Sequence, residues 1–408
     1  MALTNLIVFC YLNGDHEAVP AGRFTHDSIT GIGSFQYGRR YLERPNALPL
    51  DYVALPLGVT PQPITINGGL YGTFRDSSPD YWGRLVLSSR MKCAPEALTE
   101  IDYLSMSNAT RVGNLDFRVS LDQPEPALAP PQFQNIADLI DATQMLEQGG
   151  IVDEKIRLLL EQGSSLGGGR PKCTVQVDDQ LWLAKFPSRH DSINIPAVEY
   201  ATMRLAGICG LNLPDIRLVS VGSHNVFLIQ RFDRISKNPT ACWSRCGFMS
   251  ALSLAEWNER DRDKWSYTTL ADKIRRYSIY PDADLRELYK RVAFNIAVRN
   301  TDDHPRNHGF LLGNDGLHLS PLYDVVPSLT HSGVGTEFHL AMTVGSEGRL
   351  AHIDNLCSSA SVFGLSNKEG REIAYEVCNK VMAEWKSVCL ESGLSINDIQ
   401  MLQPSFIR

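Results

Sequence analysis

Between Lys172 and Gln230 the sequence passes through five segments in a fixed order, and that order restricts the folds open to the chain. Lys172–Val177 and Gln180–Phe186 are short runs of strand-forming residues, and the Asp178-Asp179 pair between them suits a hairpin turn. Pro196 then opens a helix, because the first helical turn has no hydrogen bond for a proline to lose. That helix carries Val198, Met203 and Leu205 and stops near Gly207–Gly210. Ile216–Val221 and Val226–Gln230 read as two further strands. From Trp257 onward the apolar period becomes helical, which predicts helices over Thr269–Tyr277, Leu285–Val298 and Lys368–Leu390. A strand-rich stretch followed by a helical one makes this an α+β chain.

Four prolines between Pro124 and Pro131 prevent a helix there and favour an extended linker. The 408 residues then divide into an N-terminal α/β subdomain at 1–122, the linker at 123–134, the strand-rich lobe at 135–234 and a helical lobe at 235–408. Before the linker, Leu6–Leu12 and Asp51–Leu57 read as strands. Pro79–Arg90 reads as a helix whose apolar face includes Trp82, Leu85 and Val86. After it, Asn135–Gln148 predicts a helix with Asn135 as N-cap. Asp153–Gln162 predicts a second, ended by Gly163.

Composition narrows the class. A formal charge of −7 argues against a general nucleic-acid binder, which would carry a basic surface. No apolar run reaches the ~18 residues of a membrane span, and the N-terminus lacks the basic start of a signal peptide. The nine cysteines are scattered without C-x-x-C pairs, so buried free thiols in a reducing cytoplasm are expected, and no zinc site.

The chemistry concentrates in Asn300-Thr301-Asp302-Asp303-His304-Pro305-Arg306-Asn307 and, seventeen residues on, Tyr323-Asp324-Val325. Asp302 and Asn307 stand five apart, the spacing of the catalytic aspartate and metal-binding asparagine in a kinase catalytic loop. Asp324 falls where a kinase keeps its second metal carboxylate. Oxygen donors of this kind suit Mg²⁺. Upstream, Ser164-Ser165-Leu166-Gly167-Gly168-Gly169-Arg170-Pro171-Lys172 is either a flexible turn or a loop whose N–H groups converge on phosphate. Lys185 sits on an apolar strand, where it either pairs with Glu199 of the following helix or snorkels at a strand edge. Gln230-Arg231-Phe232-Asp233-Arg234 ends the last strand. Its backbone and Phe232 could wall an adenine, or it is a strand end with ordinary ion pairs. His304 and His308 flank the acidic loop, with structural or nucleotide-contact roles. Asp303 is expected to hydrogen-bond or to serve a second metal, since only Asp302 has the right spacing to Asn307.

Five motifs in order give the chain a resemblance to the HipA family of serine/threonine kinase toxins from bacterial toxin–antitoxin modules. Gly72-Thr73-Phe74-Arg75-Asp76-Ser77-Ser78-Pro79-Asp80-Tyr81-Trp82-Gly83-Arg84 resembles that family's G-x-F-x-D-S-x-P-D-x-W-G-R signature. Ser164 to Lys172 resembles its glycine loop, and Arg231–Arg234 its R-F-D-R. Asn300–Asn307 resembles N-T-D-D-H-x-x-N, and Ser320–Asp324 resembles S-P-x-Y-D. The resemblance implies a two-lobed, protein-kinase-like fold with ATP and Mg²⁺ as cofactors. Asp302 would be the base, and Asn307 and Asp324 the metal ligands. Lys185, Lys172 and Gly167, Gly168 and Gly169 would hold phosphate, with Glu199 orienting Lys185. Gln230, Phe232 and His304 would contact the nucleotide. It also implies autophosphorylation of Ser165, or of Ser164 beside it, and a HipB-like DNA-binding antitoxin as partner. Operator DNA would be met only through that antitoxin, and the protein substrate would be a translation component such as an aminoacyl-tRNA synthetase. A small-molecule phosphotransferase shares the D-x-x-x-x-N loop but not the signature at Gly72–Arg84. A non-catalytic corepressor would have no need of Lys185, Asp302, Asn307 and Asp324 together.

Overall fold

The computed structural model describes residues 3–126, 130–148, 160, 169–236, 243–313, 316–329 and 337–406. The chain forms two compact units. The first comprises residues 1–189, 230–249 and 311–314, and the second residues 190–229, 250–310 and 315–408.

The first unit begins with an antiparallel sheet of β1 (Leu3–Tyr11), β2 (Ala18–Asp27), β3 (Ile32–Tyr37), β4 (Gln62–Ile64) and β5 (Leu115–Arg118) in the order β4-β3-β2-β1-β5. Alternation in β1 sends Leu6, Val8 and Cys10 inward, where they join Phe24, Phe35, Tyr71, Phe74 and Phe117 in one core. Edge-to-face contacts among Phe24, Phe35, Tyr71 and Phe74 fill its centre. Asp51–Leu57 is not the strand its apolar residues suggest. The Asp51 carboxylate accepts from the N–H groups of Val53, Ala54 and Thr73 and curls the segment into a turn, leaving a single bridge from Asp51 to Leu55. Those bonds oppose the burial that raises the Asp51 carboxyl.

After β4 the chain forms the helices α1 (Gly72–Ser77) and α2 (Tyr81–Met91). Asp80 caps α2 by accepting from Gly83 N–H at 3.0 Å. The predicted helix after the linker is α3 (Ile136–Glu147). Asn135 does not cap it: its side chain turns back to accept from Gln132 N–H at 3.2 Å. The second predicted helix, Asp153–Gln162, lies outside the described residues apart from Leu160. The end of the proline segment runs beside β6 (Lys172–Val177), with Gln176 N–H on Pro131 O at 2.8 Å. β6 pairs with β7 (Gln180–Lys185) in an antiparallel hairpin. Asp178 makes its turn at φ 53°, a backbone region aspartate tolerates better than most residues.

In the second unit α4 (Ile195–Ile208) is capped by Asn194, with Pro196 in its first turn, and packs near the hairpin of β8 (Ile216–Val221) and β9 (His224–Gln230). Three further helices are α5 (Tyr267–Tyr277), α6 (Pro281–Ala297) and α7 (Asn367–Glu391). Helix α6 buries Leu285, Leu288, Tyr289, Val292 and Phe294, and α7 buries Ile373, Val377, Val381 and Trp385. Gly370 lets α7 approach closely, because a Cβ there would lie 2.8 Å from the Tyr289 hydroxyl. Each of the eight described cysteines is a free thiol. Burial pushes Cys209 up to about 12 and Cys389 up to about 11. Among the described residues no helix is long and apolar enough to cross a membrane.

Candidate active site

The acidic set of motifs belongs to the second unit. Helix α6 ends at Ala297, and Arg299, at φ 52°, turns the chain out of the helix axis. Asn300 then anchors the turn, its N–H on Asn295 O at 2.9 Å and its amide on the Asn295 side chain at 3.1 Å. The loop closes on itself. His304 N–H donates to Asp302 O at 2.8 Å, and a single 3-10 turn, Pro305–Asn307, returns Asn307 N–H to His304 O at 2.9 Å.

Asn307 is the clip of this site. Its buried Nδ2 donates to the main-chain oxygens of Asp302 at 3.2 Å and Asp324 at 3.5 Å. One side chain therefore ties together the two acidic residues singled out by spacing, and the amide nitrogen is used up in doing so. The oxygen Oδ1 is left as the donor for a cation. Two further bonds fix the Asp324 segment to the loop: Tyr323 OH on Arg306 O at 2.7 Å, and Ser328 N–H on Arg299 O at 3.0 Å. Asp324 itself sits at φ 60°, the region that Asp178 also occupies and that aspartate enters more readily than most residues. Asp302 is exposed. His304 keeps a buried ring Nδ1 without a hydrogen-bond partner among the described residues.

Asp303, the extra carboxylate, faces inward. It is 1% exposed and accepts from the Tyr267 hydroxyl of α5 and from His308 Nε2 at 2.9 Å. Burial alone would raise its carboxyl, but the His308 and Tyr267 bonds outweigh burial and hold it below the usual range. Asp303 thus braces the loop from behind, and of its two expected roles the structure gives it the hydrogen-bonding one. Tyr267 lies 36 residues upstream, and no local pattern marks it. Asp303→Asn keeps the shape and loses the charge. The expected result is a kcat lowered about ten- to a hundredfold with the nucleotide KM nearly unchanged, since loop misplacement costs turnover before it costs binding. Tyr267→Phe should do less, and the double variant no more than Asp303→Asn alone, because both act through one brace.

The basic set belongs to the first unit. In the β6–β7 register Lys172 stands directly opposite Lys185, and both are buried. Lys172 Nζ lies 3.3 Å from Asp80 Oδ2. Gly169 is exposed, with open space where a Cβ would stand, while Ser164, Ser165, Gly167 and Gly168 fall outside the described residues. Gln230 closes β9 with its amide on Gln180 Oε1 at 3.1 Å, and Phe232 beside it is half-buried. The rest of R-F-D-R is structural. Asp233 accepts from Arg231 and Arg234 at 2.7 Å each and from Gly113 N–H at 2.9 Å, while Arg231 also reaches the carbonyls of Thr110 and Arg111. Burial would raise Asp233, but the two guanidinium groups hold it far below the usual carboxylate range. Glu199 is buried on α4 in the second unit.

The donors fit Mg²⁺. A small hard cation binds through few protein oxygens and keeps waters and phosphate oxygens for the rest, and Asn307 Oδ1 with the Asp324 carboxylate meets that need. Among the described residues no group of three or more His, Cys, Asp or Glu is arranged to hold a metal ion, so a cation here would rest on Asn307 and Asp324.

Residues 164–385, more than half of the chain, match the family described as HipA-like C-terminal domain. A kinase by name, Y4mE of Sinorhizobium fredii, is 25% identical over 366 residues, covering 82% of this chain and 80% of that protein. The serine/threonine-protein kinase toxin HipA of Shewanella oneidensis is 24% identical over 257 residues, 55% of each chain. Among solved structures, a complex of Shewanella oneidensis HipA with HipB and its operator DNA contains a chain that superposes at a TM-score of 0.68 with 16% identity. The superposition covers 98% of this chain and 95% of that one. The fold is that of HipA, and the protein belongs to the HipA family through its HipA-like C-terminal domain.

Proposed function

We propose that this protein is an ATP- and Mg²⁺-dependent serine/threonine protein kinase that acts as the growth-inhibiting toxin of a toxin–antitoxin module. The observation that carries the reading is the Asn307 clip, which ties the loop of the exposed Asp302 to the separate segment of Asp324. Family membership and the toxin named among the relatives support it.

In this reading Asp302 orients the substrate hydroxyl and takes its proton as the oxygen bonds to the γ-phosphorus and the bond from that phosphorus to the β–γ bridging oxygen breaks, with ADP leaving. Asn307 and Asp324 would hold Mg²⁺, which neutralises charge on the phosphate oxygens. Lys185 and Lys172 hold the phosphates, and Gly167, Gly168 and Gly169 cover them. Glu199 keeps the orienting role expected of it, and Gln230, Phe232 and His304 meet the nucleotide. The antitoxin partner is a HipB-like DNA-binding protein. With a charge of −7, this chain leaves the contacts to operator DNA to that partner. The protein substrate is a translation component such as an aminoacyl-tRNA synthetase.

The off-switch is phosphorylation of Ser165, or of Ser164 beside it. A phosphate there adds about −1.5 to −2 charges, which repel the phosphates of the nucleotide. Peptide mass spectrometry of dephosphorylated protein incubated with Mg·ATP should find the added phosphate on one of these two serines. Absence of phosphate from the whole chain and from added cell protein would sink the kinase reading, and phosphate confined to other residues would sink the off-switch.

A further inference from the structure

Helix α6 carries Asp284, Glu287 and Arg291 at steps of three and four, so the three charged residues share one stripe of the helix. Asp284 and Arg291 are buried, Arg291 completely, at 0% exposure. A guanidinium withdrawn from water needs partners, and an apolar residue of similar volume would serve the packing as well. Its partners therefore indicate its use. Arg291 Nη2 donates to Ser320 O at 2.7 Å, and Nε donates to Glu287 Oε1 at 2.9 Å. The same Glu287 oxygen accepts from Asn212 N–H at 3.1 Å, and Asn212 O accepts from Leu322 N–H at 2.8 Å. These bonds close a ring from α6 to Asn212, on to Leu322 and back through Ser320.

The third member of the stripe grips the same segment. Asp284 Oδ2 accepts from Leu319 N–H at 2.9 Å and from the Ser278 hydroxyl at 2.6 Å. Ser320 N–H donates to Gly309 O at 2.8 Å, and Pro321 has no N–H to place. Residues 319 to 322 thus have every main-chain N–H assigned, and Asp324 follows two residues later. We propose that Arg291 is a positioning residue for Asp324: with Asp284 and Glu287 it fixes residues 319–322 to α6, so that the backbone leading to the Asp324 carboxylate is set. The inference rests on the reading of Asp324 as a Mg²⁺ ligand given above. Asn307 holds Asp324 O from the side of the acidic loop, and Arg291 fixes the approach to it from the side of the helix. Groups behind a metal ligand govern how tightly the ion binds, although none of them touches it.

Arg291→Met keeps most of the volume and removes both bonds. The Mg²⁺ concentration that half-saturates phosphate transfer should rise about tenfold, the low end for groups that orient a ligand. Mn²⁺ binding in the presence of ADP, read by electron paramagnetic resonance, should weaken by a similar factor, while ATP binding in EDTA should match the wild type. A merely structural loss would reduce the amount of active protein and leave both midpoints in place, because a midpoint does not depend on how much of the protein is folded. Glu287→Gln is the gentler variant. It keeps an acceptor oxygen and loses the charge, and both midpoints should move the same way by about threefold, since bonds to a charged acceptor are roughly twice as strong as neutral ones. Asn212 enters the ring through its main chain alone, so Asn212→Ala should keep both wild-type midpoints. Wild-type midpoints in Arg291→Met and Glu287→Gln, beside a raised midpoint in Asp324→Ala, overturn the positioning role alone. An unmoved midpoint in Asp324→Ala overturns the reading of Asp324 as a metal ligand, and this inference with it.

Discussion

Asp302→Ala should lower phosphate transfer by about a hundred- to ten-thousandfold while ATP binding stays close to that of the wild type. The asymmetry follows from the geometry. Asp302 contributes its main-chain oxygen to the loop, through His304 N–H and Asn307 Nδ2, and an alanine preserves that oxygen. Only the exposed carboxylate is lost, and with it the group proposed to orient and deprotonate the hydroxyl. Asp324→Ala should differ in kind. It removes a proposed metal ligand, so binding of Mg·ATP should weaken together with transfer. Measuring kcat/KM and ATP affinity for both variants separates the two roles. Equal loss of ATP affinity in both would mean that Asp302 is a nucleotide ligand and not the base.

The second large effect concerns stability. Asp233→Asn leaves two arginines buried without their shared carboxylate, and breaking a buried ion pair in this way costs about 3–5 kcal/mol. Asp233 lies between Arg231 and Arg234 and also holds Gly113 N–H, so its loss loosens segments 120 residues apart in sequence. The sign of the pH effect is set by the direction of the shift. A carboxyl whose folded pKa is depressed stabilises the fold fully above its unfolded value of ~3.9, and that stability is lost as pH falls through the folded value. Asp303 shifts in the same direction and adds to it. Acid unfolding of the wild type should therefore steepen below about pH 4. In Asp233→Asn the midpoint should lie at higher pH and lower denaturant, as followed by circular dichroism. An unchanged urea midpoint would mean that the arginines find other partners.

Much of this was legible in sequence because the relevant signals are local. The β6–β7 hairpin, helix α4 with its proline, and the long helices each declare themselves through period and caps within a dozen residues. The spacing of Asp302 and Asn307 has the same virtue, since five residues of tight loop leave little freedom. Two local signals misled. Asp51–Leu57 has the alternation of a strand, but Asp51 can bond its own following N–H groups, and tertiary packing against Thr73 decided in favour of the turn. Asn135 has the chemistry of an N-cap and spends it one turn too early, on Gln132. What could not be read were partnerships between distant segments: Tyr267 with Asp303, Asp80 with Lys172, Asp233 with Gly113. Their residue types are unremarkable in isolation, and only the folded chain brings them together.

The first unit is assembled from three separate stretches, the last being residues 311–314. Gly247 is packed so tightly against Leu312 that a Cβ would fall 2.8 Å from that side chain. A ribosome releasing this chain from its N-terminus must therefore deliver some three-quarters of it before the first unit can close. Until then the sheet of β1 to β5 can pair, but the stretch after Gln230 lacks part of its packing. No single cut divides the polypeptide into its two units. Fragments ending near residue 189 would carry the N-terminal sheet and the β6–β7 hairpin without the Arg231–Asp233–Arg234 cluster that fastens onto the segment before β5 and onto β6. Gene dissection by truncation, routine for tandem domains, is the wrong instrument for this chain.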